Sequence, residues 1–350
     1  MTHRCALHCI VPPGLLLRVA GSGGAKDREA ALRTLGLDHT FRQVRVEHAT
    51  RQAIAPAPPR LLSGPVGGPH RTIYDQQKSD ATELGRLARS EGQRAVKDPA
   101  VNEAFDGFGD TYKLFWEVFK RNSIDDAGMP ILGLVHYSQQ YANAFWDGEG
   151  HMFFGDGDGQ LFTRLTKSVD VIGHELTHGV TQYTANLAYR DQSGALNESL
   201  SDVFGCLVAQ YAKKQTAAKA SWLVGADVVG PALKPALRSL KAPGEANKYD
   251  DQPADMDHFV RTGEDNGGVH TNSGIPNHAF YVAATTIGGK AWEAPGIIWY
   301  DAMRDPTVRP NCDFLAFAKA TLRSAGQRFG AQGKEIAAVR AGWEAVKVAV

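Results

Sequence analysis

His174-Glu175-Leu176-Thr177-His178 constrains this chain more than any other stretch, because it spaces two imidazoles one helical turn apart with a carboxylate beside the first. An α-helix advances about 100° per residue, so side chains four apart return to one face, roughly 6 Å apart along the axis. Two histidines so placed can share one metal ion. Glu175, one residue round, is suited to a water on that metal rather than to the metal itself. The flanks favour a helix, since Val171, Ile172, Leu176 and Val180 recur at helical intervals and no proline interrupts them. The pattern predicts a metallohydrolase built on a half-buried helix.

A catalytic zinc site needs three protein ligands and one open position. Downstream, Glu198 and Asp202 are again four apart, and the apolar run Val203 to Val208 follows them. In a helix that buried, unpaired carboxylates are costly. Glu198 is therefore expected as third ligand, and Asp202 as the acceptor for the second ring N–H of a ligating histidine. The length of 350 residues and 43% hydrophobic content allow a large core and suggest two lobes.

Further motifs are Asn143-Ala144-Phe145-Trp146, the run Phe154 to Gly159, Gly194-Ala195-Leu196-Asn197-Glu198 and the run Gly267 to Gly274. With them the chain resembles the thermolysin-like (M4) zinc metallopeptidases from about Thr72 to its C-terminus. Nineteen residues lie between His178 and Glu198, the spacing of that family. Related zinc aminopeptidases have one fewer, and their Gly-Ala-Met-Glu-Asn motif is absent here. The resemblance implies an α+β fold of two lobes, β-rich over 71–187 and α-helical over 188–350, with the HExxH helix between them at the base of the cleft. Strand-like Gly133 to Tyr137 and His151 to Phe154, and helical Ser199 to Ala212, Asn277 to Thr286 and Phe314 to Ala325, agree with it.

The implied function is zinc endopeptidase. His174, His178 and Glu198 would bind one Zn²⁺, Glu175 would be the general base, Tyr189 and His270 would supply oxyanion donors, and Asp265 would orient His270. Asn143 and the Ala144 carbonyl match groups that bond the substrate backbone. Arg238 matches an arginine that grips the carbonyl after the scissile bond, with a small insertion around 242–257 separating it from His270. Phe162, Leu165, Val171, Val228 and Leu237 match the lining of the S1′ pocket. Cleavage before bulky hydrophobic residues follows, since burying such a side chain contributes about 1.5–3 kcal/mol. The alternatives are a zinc aminopeptidase and a catalytically silent, zinc-stabilised peptide-binding protein. The latter has no use for Glu175, Tyr189 and His270, which act in the transition state.

One departure concerns calcium. The family commonly holds two calcium ions behind the active site, and Asp170 is present here, yet Ala209, Leu223 and Ala226 stand about where carboxylates are expected. Ca²⁺ takes six to eight oxygen ligands. The double Ca²⁺ site is therefore expected to be lost. Asp156-Gly157-Asp158-Gly159-Gln160 opens like an EF-hand loop but has Leu161 in place of the glycine and Lys167 in place of the terminal glutamate, so a hairpin turn is expected.

Residues 1–70 precede the protease match and read as an inhibitory propeptide and linker. Ile10-Val11-Pro12-Pro13-Gly14-Leu15-Leu16 and Arg33 to Asp38 resemble the short propeptide of protealysin-like members. A proline-fixed strip followed by apolar residues can lie along the substrate cleft at low cost in ordering entropy. Pro/Gly-rich sequence from Ala55 to Pro69 reads as exposed linker. The alternatives for this stretch are an unstructured tail and a secretory leader; Pro12, Pro13 and Arg18 interrupt the early apolar run, so a conventional leader is not expected. Export by an unconventional route is favoured, with a cytoplasmic role as the alternative. Cys5 and Cys9 stand with His3 and His8 in a short cluster suited to binding metal or, through one thiolate, to capping the zinc. Cys206 is expected in the core, Cys312 has no evident role, and four cysteines make no disulfide framework. Peptide substrates and the propeptide are the partners expected. Balanced charge, 38 basic against 38 acidic residues, gives no reason to expect nucleic acid, and no membrane-spanning run is evident.

Overall fold

A computed structural model describes the backbone of residues 8–52 and 66–350, with side chains for 9–38 and 66–350. Cys5, His3, the His8 side chain and most of the Pro/Gly-rich linker lie outside the described residues.

The N-terminal lobe centres on a six-stranded sheet ordered β1-β5-β6-β4-β2-β3. Its strands are β1 (His8–Cys9), β2 (Arg71–Asp75), β3 (Arg86–Ser90), β4 (Ile131–Val135), β5 (Ala144–Trp146) and β6 (His151–Phe154). β2, β4 and β6 run parallel, while β3, β5 and β1 pair antiparallel. β4 and β5 are almost wholly buried, which matches their continuous apolar sequence. Two helices of the first segment precede β2, α1 (Pro13–Ser22) and α2 (Ala25–Gln52). The expected extended strip is therefore short. Pro13 sits at the first helical position, where its fixed φ and missing N–H suit a helix start, and Leu15, Leu16 and Val19 become the buried face of α1.

α3 (Pro99–Glu117) was not visible as a helix in the sequence pattern. Asp98 caps it by accepting the Ala100 N–H at 2.9 Å, and Pro99 starts it. α3 packs on both the sheet and α4 (Val169–Gln182), and α5 (Asp191–Ala212) packs along α4 and meets α3 where the Phe204 ring lies 5.6 Å from that of Phe115. Enclosed in this way, α4 buries every residue from Asp170 to Thr181, more than the half-buried helix expected. Two short strands, β7 (Leu223–Val224) and β8 (Arg238–Ser239), lead into the helices α6 (Asp265–Asn272), α7 (Gly274–Ile287), α8 (Ala294–Met303), α9 (Phe314–Phe329) and α10 (Lys334–Ala345). Trp299 and Trp343 stack at 6.2 Å inside this bundle.

The crossing of α4 and α5 sets the site. A Cβ on Gly205 would lie 2.4 Å from the Asp170 carbonyl oxygen and 3.0 Å from the His174 nitrogen, and one on Gly173 would lie 3.1 Å from the Gly205 Cα. Two glycines thus let the helix backbones nearly touch. Gly205→Ala is expected to force the helices apart, lowering stability by about 1–3 kcal/mol in thermal unfolding and weakening zinc retention against a chelator, because Glu198 moves with α5.

Candidate metal and catalytic centre

His174 and His178 rise from one face of α4, and Glu198 faces them from α5; all three are buried. Each imidazole is held through its Nδ1. His174 Nδ1 lies 2.8 Å from Asp202 Oδ1, while His178 Nδ1 lies 2.8 Å from Asn197 Oδ1 and 3.0 Å from Ser201 Oγ. Both Nδ1 atoms donate to these oxygens, so both Nε2 atoms present lone pairs, and these meet at 3.1 Å. Glu198 Oε2 lies 3.6 Å from His174 Nε2, and Oε1 lies 3.5 Å from His178 Nε2. Three acceptors converging in a dry site repel one another unless a cation lies between them. Glu198 Oε2 is buried without a protein partner, which is the condition of a ligand atom. Bonds of about 2.0–2.1 Å in a tetrahedron put ligand atoms roughly 3.3 Å apart, so the spacing fits zinc.

Asp202 serves more than the histidine. Its carboxylate also accepts from Arg238 Nη2 (2.7 Å), Arg238 Nε (3.0 Å) and Asn277 Nδ2 (2.9 Å). Burial alone would raise its pKa, but the Arg238 charge and the His174 hydrogen bond hold it well below the usual carboxylate range. Asn197, Ser201 and Asn277 were missed in the sequence as supports. Asn197 and Ser201 are four apart on α5, like Glu198 and Asp202, and that repeat was the available signal.

Glu175 points to the sheet edge. Its Oε2 accepts the Trp146 N–H of β5 at 3.2 Å, and its Oε1 is buried without a partner. Burial drives its pKa well above the ordinary value, with Cys9 and Glu198 adding to the rise. Tyr189, just before α5, donates its hydroxyl to Glu198 Oε1 and lies 3.2 Å from His270 Nε2. His270 is held by Asp265, which accepts the His270 backbone N–H at 2.9 Å and faces Nδ1 at 2.7 Å. That grip depends on a left-handed turn at the start of α6, with φ of 52° at Asn266, 88° at Gly267 and 74° at Gly268. Glycine is needed at 267, where a Cβ would come within 2.4 Å of Asp191 Oδ1. Burial favours neutral His270, yet the Asp265 and Glu198 charges outweigh it and push the imidazole well up.

Three substrate-binding residues of the sequence reading, Asn143, Ala144 and Arg238, hold a segment of the chain itself. Val11 N–H donates to Asn143 Oδ1 (3.1 Å), Ile10 N–H to the Ala144 carbonyl (3.4 Å), and Arg238 Nη1 to the Ile10 carbonyl (2.8 Å). Phe162, Leu165, Val171, Val228 and Leu237 are buried in the same apolar cluster as Ile10. Asp38, also unforeseen, accepts from the Tyr141 hydroxyl (2.8 Å) and Asn143 Nδ2 (3.2 Å). Arg18 pairs with Asp251 at 2.5 and 2.7 Å and donates to the Tyr249 carbonyl, both within the stretch 242–257. The Cys9 thiol turns to the Val11 carbonyl at 3.7 Å, and it is the Cys9 carbonyl that meets His270 Nε2, at 3.0 Å.

Asp170 accepts from Ser168 Oγ, the Gly225 N–H (2.8 Å) and the Val171 N–H (3.0 Å). Asp158 closes a tight turn by accepting three successive N–H groups from Gln160 to Phe162, but the turn does not join a β-hairpin as expected: β6 pairs with β4 and β5, and Phe162 bridges Val229 instead. Asp156 holds His136, which also faces Asp98; the Asp156 hydrogen bond outweighs burial and raises this imidazole to about 9.

Comparison with known proteins agrees with this geometry. Residues 68–182 match the thermolysin metallopeptidase catalytic domain and 185–348 the thermolysin metallopeptidase alpha-helical domain. An extracellular metalloprotease of Pectobacterium carotovorum subsp. carotovorum is 46% identical over 349 residues, covering 97% of this chain and 96% of its own. Protease PrtS of Photorhabdus sp. is 43% identical over 330 residues, covering 91% and 87%. The solved precursor of protealysin, a metalloproteinase from Serratia proteamaculans, superposes with a TM-score of 0.86 at 44% identity, covering 98% of this chain and all of that one. With its His174, His178 and Glu198 triad, the chain belongs to the thermolysin family of zinc metallopeptidases, in its protealysin-like branch.

Proposed function

We propose that the chain is the zymogen of a zinc endopeptidase that cleaves before bulky hydrophobic residues, with residues 1–70 as propeptide and linker and Glu175, Tyr189, His270 and Asp265 as catalytic groups. The observation that carries this reading is the convergence of three unrelated elements on one point. Glu175 arrives from α4, Tyr189 from the turn before α5 and His270 from α6, all beside the metal triad.

Zinc held by His174, His178 and Glu198 supplies Lewis-acid polarisation and acidifies water. Glu175 Oε2 is anchored on the Trp146 N–H, which leaves Oε1 to take a proton from the attacking water and return it to the leaving amine. Tyr189 and His270 donate to the oxyanion as it develops, and Asp265 keeps the second ring N–H of His270 engaged so that Nε2 faces the substrate. Asn143, Ala144 and Arg238 align the peptide along the β5 edge, which fixes the reacting carbonyl before reaction.

Asp170 already accepts from the Ser168 hydroxyl and the Val171 and Gly225 N–H groups, and Ala209, Leu223 and Ala226 stand in the sequence where carboxylates are expected; both support loss of the double Ca²⁺ site. Extracellular relatives support secretion. No helix among the described residues is long and apolar enough to cross a membrane. An N-blocked, internally quenched peptide with Leu or Phe after the scissile bond is expected to be hydrolysed by the protein freed of its propeptide, at least about 10-fold faster than the same peptide with Asp there. An aminopeptidase would leave the blocked peptide intact.

A further inference from the structure

The segment 8–11 does not merely cover the cleft. β1 adds to the β5 edge with Cys9 opposite Phe145 and His8 opposite Trp146, antiparallel, so the chain crosses the site in one defined register. Three consecutive residues are read by three of the proposed catalytic and substrate-binding groups. The Cys9 carbonyl faces His270 Nε2 at 3.0 Å, the Ile10 carbonyl takes Arg238 at 2.8 Å, and the Val11 N–H takes Asn143 at 3.1 Å. Between them, the Ile10 N–H lies against the Ala144 carbonyl and stabilises the Glu175 carboxylate. One peptide bond therefore has its carbonyl at the oxyanion donor and its nitrogen at the general base.

Building on the endopeptidase reading, we propose that Cys9–Ile10 is a cleavage site of the chain's own active centre, so that the propeptide is held as a bound substrate and nicked in cis. Water adds across the amide: its oxygen joins the Cys9 carbonyl carbon, the C–N bond breaks, and the proton taken by Glu175 passes to the Ile10 nitrogen. Glu175 Oε1, buried and unpartnered, is the atom left to hold that water. Ile10 is fully buried, with its N–H on Ala144 and its carbonyl on Arg238, which puts it in the position of the residue after the scissile bond. Release after the cut is slow, because everything beyond Ile10 stays tied down. Leu15, Leu16 and Val19 are buried, Arg18 keeps Asp251, and Asp38 keeps Tyr141 and Asn143. Pro12 and Pro13 lack the N–H groups that would extend β-pairing along the edge, which limits the substrate-like stretch to the residues around this bond.

The test follows the zinc-loaded full chain by intact-mass spectrometry and N-terminal sequencing at two protein concentrations about 100-fold apart. The expected result is a new N-terminus at Ile10, formed at a rate independent of concentration, absent in Glu175→Gln and retained in Ile10→Leu. Ile10→Pro, which removes the N–H at the scissile nitrogen, is expected to block this cut; Ile10→Asp, which keeps the N–H but charges the pocket, is expected to slow it at least about 10-fold. Linker bonds cut while Cys9–Ile10 stays intact would show a working protease and overturn this proposal alone. A rate proportional to concentration would also overturn it. No zinc-dependent cut anywhere, together with an intact N-blocked peptide, would overturn the endopeptidase reading with it.

Discussion

Glu175→Gln is expected to leave one zinc per chain while lowering peptide hydrolysis by at least about 10²–10⁴-fold, the usual contribution of a positioned general base. The substitution is isosteric in a fully buried site, so the amide oxygen can keep the Trp146 N–H now accepted by Oε2 at 3.2 Å. The amide nitrogen then replaces Oε1, the atom without a protein partner. It donates where a proton must be accepted. Zinc retention follows because the three ligands and their supports, Asp202, Asn197 and Ser201, are untouched. Metal analysis on the purified variant and kcat on the quenched peptide check both halves. Near-normal turnover would remove Glu175 from the mechanism, and loss of zinc would make it a structural residue instead.

How much of this was legible in the sequence depended on whether the signal was local. HExxH and the Glu198/Asp202 pair are periodic within single helices, so one turn of spacing located the triad and the Asp202 support before any fold was known. α4 and α5 were legible for the same reason. Helix α3 was not, because Gly107 and Gly109 dilute its apolar pattern, although Asp98-Pro99 is a recognisable start. Asp38 on Tyr141 and Asn143 spans more than a hundred residues of sequence and follows no period, so only the folded chain reveals it. The sequence does not show where the proline-fixed strip ends, because proline at a helix start and proline in an extended strip share the same φ. Packing of Leu15, Leu16 and Val19 on one face decides between them. The contact of Arg18 with Asp251, more than two hundred residues on, likewise follows no local period and needed the structure.

Arg238→Met is expected to cost about 3–5 kcal/mol of stability, read by chemical unfolding, because it strips the only arginine from a fully buried aspartate among the described residues. Asp202 would keep the neutral Asn277 amide and the His174 ring N–H, neither of which carries a fixed positive charge. The pair is therefore worth testing as a pair. Asp202→Asn combined with Arg238→Met removes both charges, so its cost is expected to fall below the sum of the single costs by at least about 1 kcal/mol; strict additivity would show that the two side chains do not support each other. Arg238 also holds the Ile10 carbonyl at 2.8 Å, so its loss weakens grip on the peptide independently of folding. Arg238→Lys separates these effects. A lysine keeps a positive charge near Asp202 but cannot hold Asp202 with two donors and the peptide carbonyl with a third in one planar fork. Stability should recover in large part while KM for the quenched peptide stays raised, and recovery of both together would assign Arg238 to folding alone.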